Sequence, residues 1–433
     1  MARLGRRARF NRAAAFAAAV ALTCPAPLLA QTVTDPAAPP PPVVTDPTAP
    51  PAPAKPQKPG EGPPSPFTFT AAYTADMLAE VHGGQRPGEG YVDLIKLSAA
   101  YDGANAGHEG LTGLVSVEHA NGANFTANRV GAVQAISADE TQPGALRLYE
   151  VWLQQEFLAG RAGIKAGLID INTTFDVQET AALFLNASHG IGPDLGDTGL
   201  NGPSDYPTPA LAVTGVYRPR EGWTAQLGIF DAVAGDPNHP GRFVAIKLDG
   251  ALILAQVEKR FGDVARIEGG AWTYTSAFAS LDQFDAGGVP RRVHGNGGLY
   301  GLVEGRLFAK PGEDAGGLNG WLRVGIANGD INRAENYLGA GLVYTGLIPG
   351  RDKDEVGLAM ARAGFGGGAR AAGALAGRDI GDSETNLEAT YRYAFKDWLN
   401  IQPDVQYVIH PGGDQHIPNA IVVGMRLAFT VSK

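Results

Sequence analysis

The chain has 433 residues, of which 44% are hydrophobic and 18% charged, with 59 glycines, 31 prolines, one cysteine and a formal net charge of −9. The charged share lies below the ~25% of an average soluble domain, and no run of ~18 apolar residues follows the N-terminus, which argues against a helical membrane protein. An acidic chain without basic runs past its first residues also argues against nucleic acid as a partner.

Residues 1–30 have the form of a secretory signal. Arg3, Arg6, Arg7, Arg9 and Arg12 stand without an acidic residue before the apolar stretch AAAFAAAVAL (13–22), too short to span a bilayer. Cleavage is expected after Ala30, although Leu28 is bulkier than the usual small residue two places before the cut. Lipoprotein processing at Cys24 is disfavoured by Thr23. Removal of this segment takes five arginines and no acid, so −9 becomes −14, and the only thiol leaves with it. A chain without thiols crosses an oxidising compartment without mispairing. Residues 31–66 follow, with fourteen prolines in 36 positions. Such a segment forms neither ladder nor helix and is expected to be an extended, disordered linker.

From Phe67 onward, period-two alternation predicts strands with two unlike faces. FTFTAAYTADM (67–77) opposes Phe67, Phe69, Tyr73 and Met77 to Thr68, Thr70, Thr74 and Asp76. ALRLYEVWLQQEF (145–157) sets Tyr149, Val151, Leu153 and Phe157 against Glu150, Trp152, Gln154 and Glu156. RIEGGAWTY (266–274), SETNLEATYRYAF (383–395), DWLNIQPDVQYVIHPGG (397–413) and IVVGMRLAF (421–429) repeat the pattern. Pro403 interrupts one of them; it cannot donate to a ladder, so a bulge or a missing hydrogen bond is expected there.

About sixteen such segments fill 67–433, at ~23 residues per strand, and short turns alternate with long connections. The short ones include Ala159–Gly160, Pro219–Gly222, Gly262–Val264 and Lys396–Trp398; the long ones include 120–145, 170–209, 231–250, 276–296 and 365–382. The pattern predicts an all-β, transmembrane antiparallel barrel of porin type over 67–433. Its apolar face meets outer-membrane lipid and its polar face lines a water-filled lumen. A soluble β-sandwich shares the alternation, but not the export signal, the strand number or the unequal connections.

Several stretches resemble the carbohydrate-selective porins of the OprB type. RLYEVWLQQEF (147–157) is similar to that family's Leu-Tyr-Glu-x-Trp strand. KAGLIDINTTFD (165–176), ALFLNASHG (182–190) and the Tyr206-Pro207 pair follow in the family's order. Gly350, Arg351 and Asp354 resemble its Gly-Arg-x-x-Asp turn, and WLNIQPDVQYVIHPGG its C-terminal signature. The resemblance implies a sixteen-stranded barrel through which sugars diffuse across the outer membrane.

Carboxylates accept from sugar hydroxyls, arginines donate in a fork, and aromatic rings cover C–H faces. Candidate lumen contacts are therefore Glu150, Trp152, Gln154, Glu268, Trp272, Trp321, Arg323, Glu388, Arg392, Asp404 and Gln406. The 170–209 connection is the candidate for an inward constriction. ETAALFLNAS there forms a short helix with Leu183 and Phe184 on the wall, and Asp170, Asn172 and Asp176 sit near the narrow point. Arg129 of the 120–145 connection is their expected counter-charge. Conduction requires any such site to be weak.

No enzyme or cofactor is indicated. GFGGGAR (364–370) lacks the Gly-Lys-Ser/Thr of a phosphate loop, no Ser/His/Asp nucleophile motif is present, and His410, Asp414 and His416 lack a distinctive metal spacing. Alternative readings are a general, non-selective diffusion porin and a non-channel carbohydrate-binding module. Either a homotrimer or a monomer fits the sequence.

Overall fold

The computed structural model describes residues 65–122, 124–141, 145–235, 250–310 and 316–433. The expected signal and nearly all of the proline-rich segment lie outside these. Among the described residues, sixteen strands close into an antiparallel barrel in which each strand pairs with its neighbours in sequence. The exception is a two-stranded hairpin, Phe278–Phe284 with Pro290–Val293, which lies outside the barrel sheet within the expected 276–296 connection. The barrel closes where the strand Phe67–His82 pairs with Ala420–Ser432, from Thr70 opposite Ser432 to His82 opposite Ile421.

Alternation decides which side chains look outward. In Ala145–Phe157, Leu146, Leu148, Leu153 and Phe157 are exposed on the outer surface while Arg147, Glu150 and Trp152 are buried inside. Ile267 is exposed between the buried Arg266 and Glu268, and Val405 and Tyr407 flank the buried Gln406. An exposed apolar surface of this kind marks a contact with a membrane or with another protein.

Tyr149 departs from the strict alternation. Val115 faces Val151 and Val117 faces Leu148, so Tyr149 and Glu150 together oppose Ser116. This bulge turns both side chains inward, and the Glu150 amide donates to Ser116 Oγ at 3.0 Å. Tyr149 therefore lines the interior rather than the outer face.

At Pro403 the ladder has a gap but no bulge. Pairing with Ser383–Lys396 passes from Thr390–Asp404 to Tyr393–Ile401, and Thr390 Oγ1 donates to the Pro403 carbonyl at 3.1 Å. On the other side Pro403 stays in register with Met425.

The Gly-Arg-x-x-Asp motif fastens a turn at the rim with the short connections. Arg351 Nε and Nη2 donate to the two oxygens of Asp354, each at 2.8 Å, and Asp354 Oδ1 accepts the Ala394 amide at 3.0 Å. The guanidinium lies 3.9 Å over the Tyr393 ring. The motif joins the turn to the neighbouring strand.

The apolar core sits inside the barrel, between the wall and the 170–209 segment. Ile171, Phe175 and Leu195 of that segment pack with wall residues Leu114, Trp152, Phe230, Leu254 and Trp272. Glycines in the wall make room for it. A Cβ on Gly357 would lie 2.6 Å from Phe184 Cζ, and one on Gly228 2.9 Å from the Phe175 ring. This close approach gives part of the high glycine content a physical reason.

Candidate functional site

Residues 170–209 cross the lumen as short turns rather than as a regular element. Thr180–Leu183 and Ala187–His189 are single 3₁₀ turns, and Pro193–Gly196 is one turn of α-helix. ETAALFLNAS thus forms a 3₁₀ turn where a short helix is expected. Leu183 and Phe184 pack on Leu302, Trp321 and Val343, with the Phe184 and Trp321 ring centroids 5.1 Å apart.

Polar tethers hold the segment around the wall. Glu304 accepts the amides of Glu179 and Thr180 at 3.1 and 2.6 Å. Glu388 accepts those of Leu185 and Asn186 at 2.6 and 3.1 Å, and Gln402 Nε2 donates to the Leu183 carbonyl at 2.7 Å. Charge-assisted acceptors are the strong ones, so two amides per carboxylate make each tether rigid. A residue chosen for the lumen by its parity thereby becomes an anchor for backbone more than 100 positions away.

The same device fixes the 124–141 segment. Glu384 accepts the amides of Val133, Gln134 and Gly412 at 2.7, 2.8 and 2.5 Å, and Gln406 Nε2 donates to the Ile136 carbonyl at 2.8 Å. The two segments also bond to each other. The Ala138 amide donates to the Leu185 carbonyl at 2.8 Å and the Ala187 amide to the Ala135 carbonyl at 3.0 Å.

The candidate residues fall into three groups. Glu150, Trp152 and Gln154 share the inward face with Asp170, whose amide donates to Glu150 Oε1 at 3.3 Å and whose carboxylate accepts from Tyr149. Lys165 stands 4.6 Å over the Trp152 ring, and Lys96 pairs with Glu118 at 3.1 Å.

The second group centres on Arg323, wholly buried beneath the segment. Its Nε and Nη2 donate to Asp176 at 3.1 and 2.6 Å, and its Nη1 contacts Asp194. Burial raises the Asp194 carboxyl to about 6 against the pull of Arg323. Asn172 is half-buried and donates to the carbonyls of Asp176 and Gly190 at 3.0 and 3.1 Å. Glu268 lies 3.3 Å from Arg266, which also reaches Glu258, Glu304 and the Val177 carbonyl. Trp272 packs edge-on to Tyr274, 6.0 Å between centroids.

The third group joins Trp321, Glu388, Asp404 and Gln406. Gln406 donates to Asp404 at 3.1 Å and accepts from Asn386 at 2.9 Å. His189 is 3.6 Å from Glu388, but burial pushes its pKa down to about 3, so the imidazole is neutral and the contact carries no ion pair.

Two candidates lie apart from these groups. Arg392 pairs with Glu355 in a cavity of about 260 Å³ bounded by Glu179, Thr180 and Leu183 of the segment and by Asn319 of the wall. Arg129 lies elsewhere from its expected place: its Nη1 donates to the Pro87 carbonyl at 3.3 Å on the rim. The counter-charge to Asp176 comes from the wall, through Arg323. The anchors Glu304 and Glu384 were not singled out from the sequence, although inward parity marks both.

Replacing Glu388 with alanine should leave two buried amides without acceptors, at roughly 1–3 kcal/mol each. Hydrogen exchange at Leu185 and Asn186 should accelerate while the barrel strands stay protected; unchanged exchange there would remove Glu388 from the tether.

The family of carbohydrate-selective porins, OprB, matches residues 103–431. The chain is 23% identical over 401 residues to Porin B of Pseudomonas aeruginosa, covering 83% of this chain and 87% of that protein. Its fold superposes on the high-pH structure of Pseudomonas putida OprB with a TM-score of 0.77 at 20% identity, covering 84% of this chain and 94% of that one. The low-pH structure of the same protein gives 0.54 at 17% identity, with 84% and 92% covered.

Proposed function

The chain belongs to the OprB family of carbohydrate-selective porins, and from that premise we propose that its sugar selectivity arises at a weak site beside the segment crossing the lumen. It is a sugar porin of the outer membrane. The observation that carries the finer reading is the cavity between the segment and the wall. Arg392, Glu355, Asn319, Glu179 and Thr180 set a guanidinium, carboxylates, an amide and a hydroxyl around it, with Leu183 as an apolar patch. Sugar hydroxyls donate and accept at such groups, and a C–H face rests on the apolar side chain. The cavity is open, and an open polar cavity holds a solute weakly enough to let it leave. Cleavage of the signal over 1–30 belongs to the same proposal.

Liposome swelling tests the reading. Sugars should enter several-fold faster than amino acids of equal size; equal rates would favour a general diffusion porin. Reversal potentials across a salt gradient test the charge argument separately. A mature chain of −14 repels anions at long range, so mild cation preference is expected. Strong anion selectivity would show that local arginines set the field.

A further inference from the structure

A cavity of about 470 Å³ opens at the rim with the short connections, between the neighbouring turns 158–161 and 218–222. Arg161, Arg218 and Arg220 line it, together with Glu221 and Trp223. It shares no residue with the cavity beside Arg392.

The two turns clasp each other. The Arg218 amide donates to the Arg161 carbonyl at 2.7 Å, Arg161 Nη2 to the Pro219 carbonyl at 2.8 Å, and Arg218 Nη1 to the Gly160 carbonyl at 2.8 Å. Backbone oxygens thus fix two guanidiniums without neutralising them. Of the three arginines only Arg218 meets a carboxylate, that of Glu156, at 3.2 Å. The Arg220 guanidinium lies 4.9 Å from the centre of the Trp223 ring. Lys259 joins from the next strand, where its Nζ donates to the Glu221 carbonyl at 3.2 Å and stands 5.6 Å from the same ring. Among the described residues Arg161, Arg220 and Lys259 have no ion pair, and Glu221 is the one carboxylate in the lining. Three uncompensated cations against one carboxylate favour an anion.

The position says which anion. Trp223 pairs with Lys259 across the ladder and shares its outward parity with the exposed Leu227 and Ile229 of its strand. Val213 and Val257 extend that apolar surface on the neighbouring strands, and Tyr217 and Phe261 are exposed at its edge. Aromatic side chains at the border of an apolar band sit at the depth of lipid headgroups. Porin-type barrels place their short turns on the periplasmic side, so this border belongs to the inner leaflet. Arginine forks match phosphate oxygens. A soluble anion would gain those forks alone, whereas a lipid adds its chains to the apolar surface. A zwitterionic headgroup brings an ammonium that the cluster repels.

We propose that this cavity binds the headgroup of an anionic glycerophospholipid of the periplasmic leaflet, its phosphodiester held by Arg161, Arg220 and Lys259 and its chains lying along Leu227 and Val257. The inference rests on the outer-membrane reading and adds a lipid partner to sugar passage. It places a local anion site on a chain whose overall charge is negative.

The test is native mass spectrometry of the purified protein in detergent, titrated with phosphatidylglycerol or phosphatidylethanolamine of the same chains. Arg220 is exposed, so Arg220→Gln leaves the fold intact, and heat-modifiable gel mobility verifies this. Lys353→Gln is the control, since it removes a cation, paired with Asp397, from another turn of the same rim. One cation near an anionic lipid surface is worth a factor of about five in affinity. Arg220→Gln should therefore weaken phosphatidylglycerol binding about fivefold and leave phosphatidylethanolamine unchanged, while Lys353→Gln alters neither. Arg220→Lys should retain most of the affinity. Equal phosphatidylglycerol binding in parent and Arg220→Gln, or an equal loss in Lys353→Gln, overturns the site. Displacement of the lipid by excess inorganic phosphate would assign the cavity to soluble anions and overturn the lipid. Failure of the protein to insert into phosphatidylcholine vesicles would count against the outer-membrane reading, and the titration in detergent would still decide the headgroup site.

Discussion

Replacing Arg323 with methionine should release the segment that narrows the lumen, at a cost of about 3–5 kcal/mol. The guanidinium is wholly buried and serves Asp176 through two hydrogen bonds and Asp194 through a third contact. Methionine fills much of the volume but leaves both carboxylates buried without their cation. Because the partners lie on the segment and the arginine on the wall strand Gly317–Ala327, the loss falls on the tether rather than on the ladder. Single-channel conductance should rise and amides around Asp176 and Asp194 should exchange faster, with the barrel still resisting dodecyl sulfate in the cold. Parental conductance and exchange would show that Arg323 does not hold the constriction. An Asp176→Asn, Asp194→Asn pair added to Arg323→Met should restore part of the stability, since it removes the stranded charges.

The second large effect distinguishes two adjacent residues. Val151 faces outward near the middle of Ala145–Phe157, so Val151→Arg should cost about 2–4 kcal/mol at the bilayer midplane and impair insertion. Trp152, next to it, points inward, packs in the core cluster with Ile169 and Phe175, and carries Lys165 over its ring. Trp152→Ala should leave insertion intact, because no lipid contact is lost. It should loosen the interior by about 3–5 kcal/mol through the cavity it leaves. Heat-modifiable mobility reads insertion, and sugar block of current reads the interior. If Trp152→Ala fails to assemble while Val151→Arg inserts normally, the facing of this strand is reversed.

The barrel was legible because alternation is a local signal. Ile267 between Arg266 and Glu268, or Val405 and Tyr407 around Gln406, declare their faces without knowledge of their neighbours. Tyr149 did not, because its inward turn depends on a bulge against Ser116, which belongs to another strand. The tethers were illegible for a related reason. Glu304, Glu384 and Glu388 act on backbone amides, which carry no residue-type signature, and reach the two inward segments across separations of 124 to 251 positions. Sequence parity could identify them as inward carboxylates but could not tell an anchor from a solute contact. Arg129 illustrates the converse error: a plausible charge on the right connection, held at the rim by Pro87.

The pairing of Phe67–His82 with Ala420–Ser432 has a consequence for how the chain is built. Arg426 reaches Asp76 through two hydrogen bonds, at 2.7 and 2.6 Å, across 350 positions. Bringing such distant residues together costs about 5 kcal/mol of chain entropy. Until the last strand arrives, every arrangement of the others leaves two bare edges, each able to recruit a foreign strand. A translating ribosome therefore cannot release this barrel in finished portions. The meeting of Phe67–His82 with Ala420–Ser432 is the step that ends that exposure.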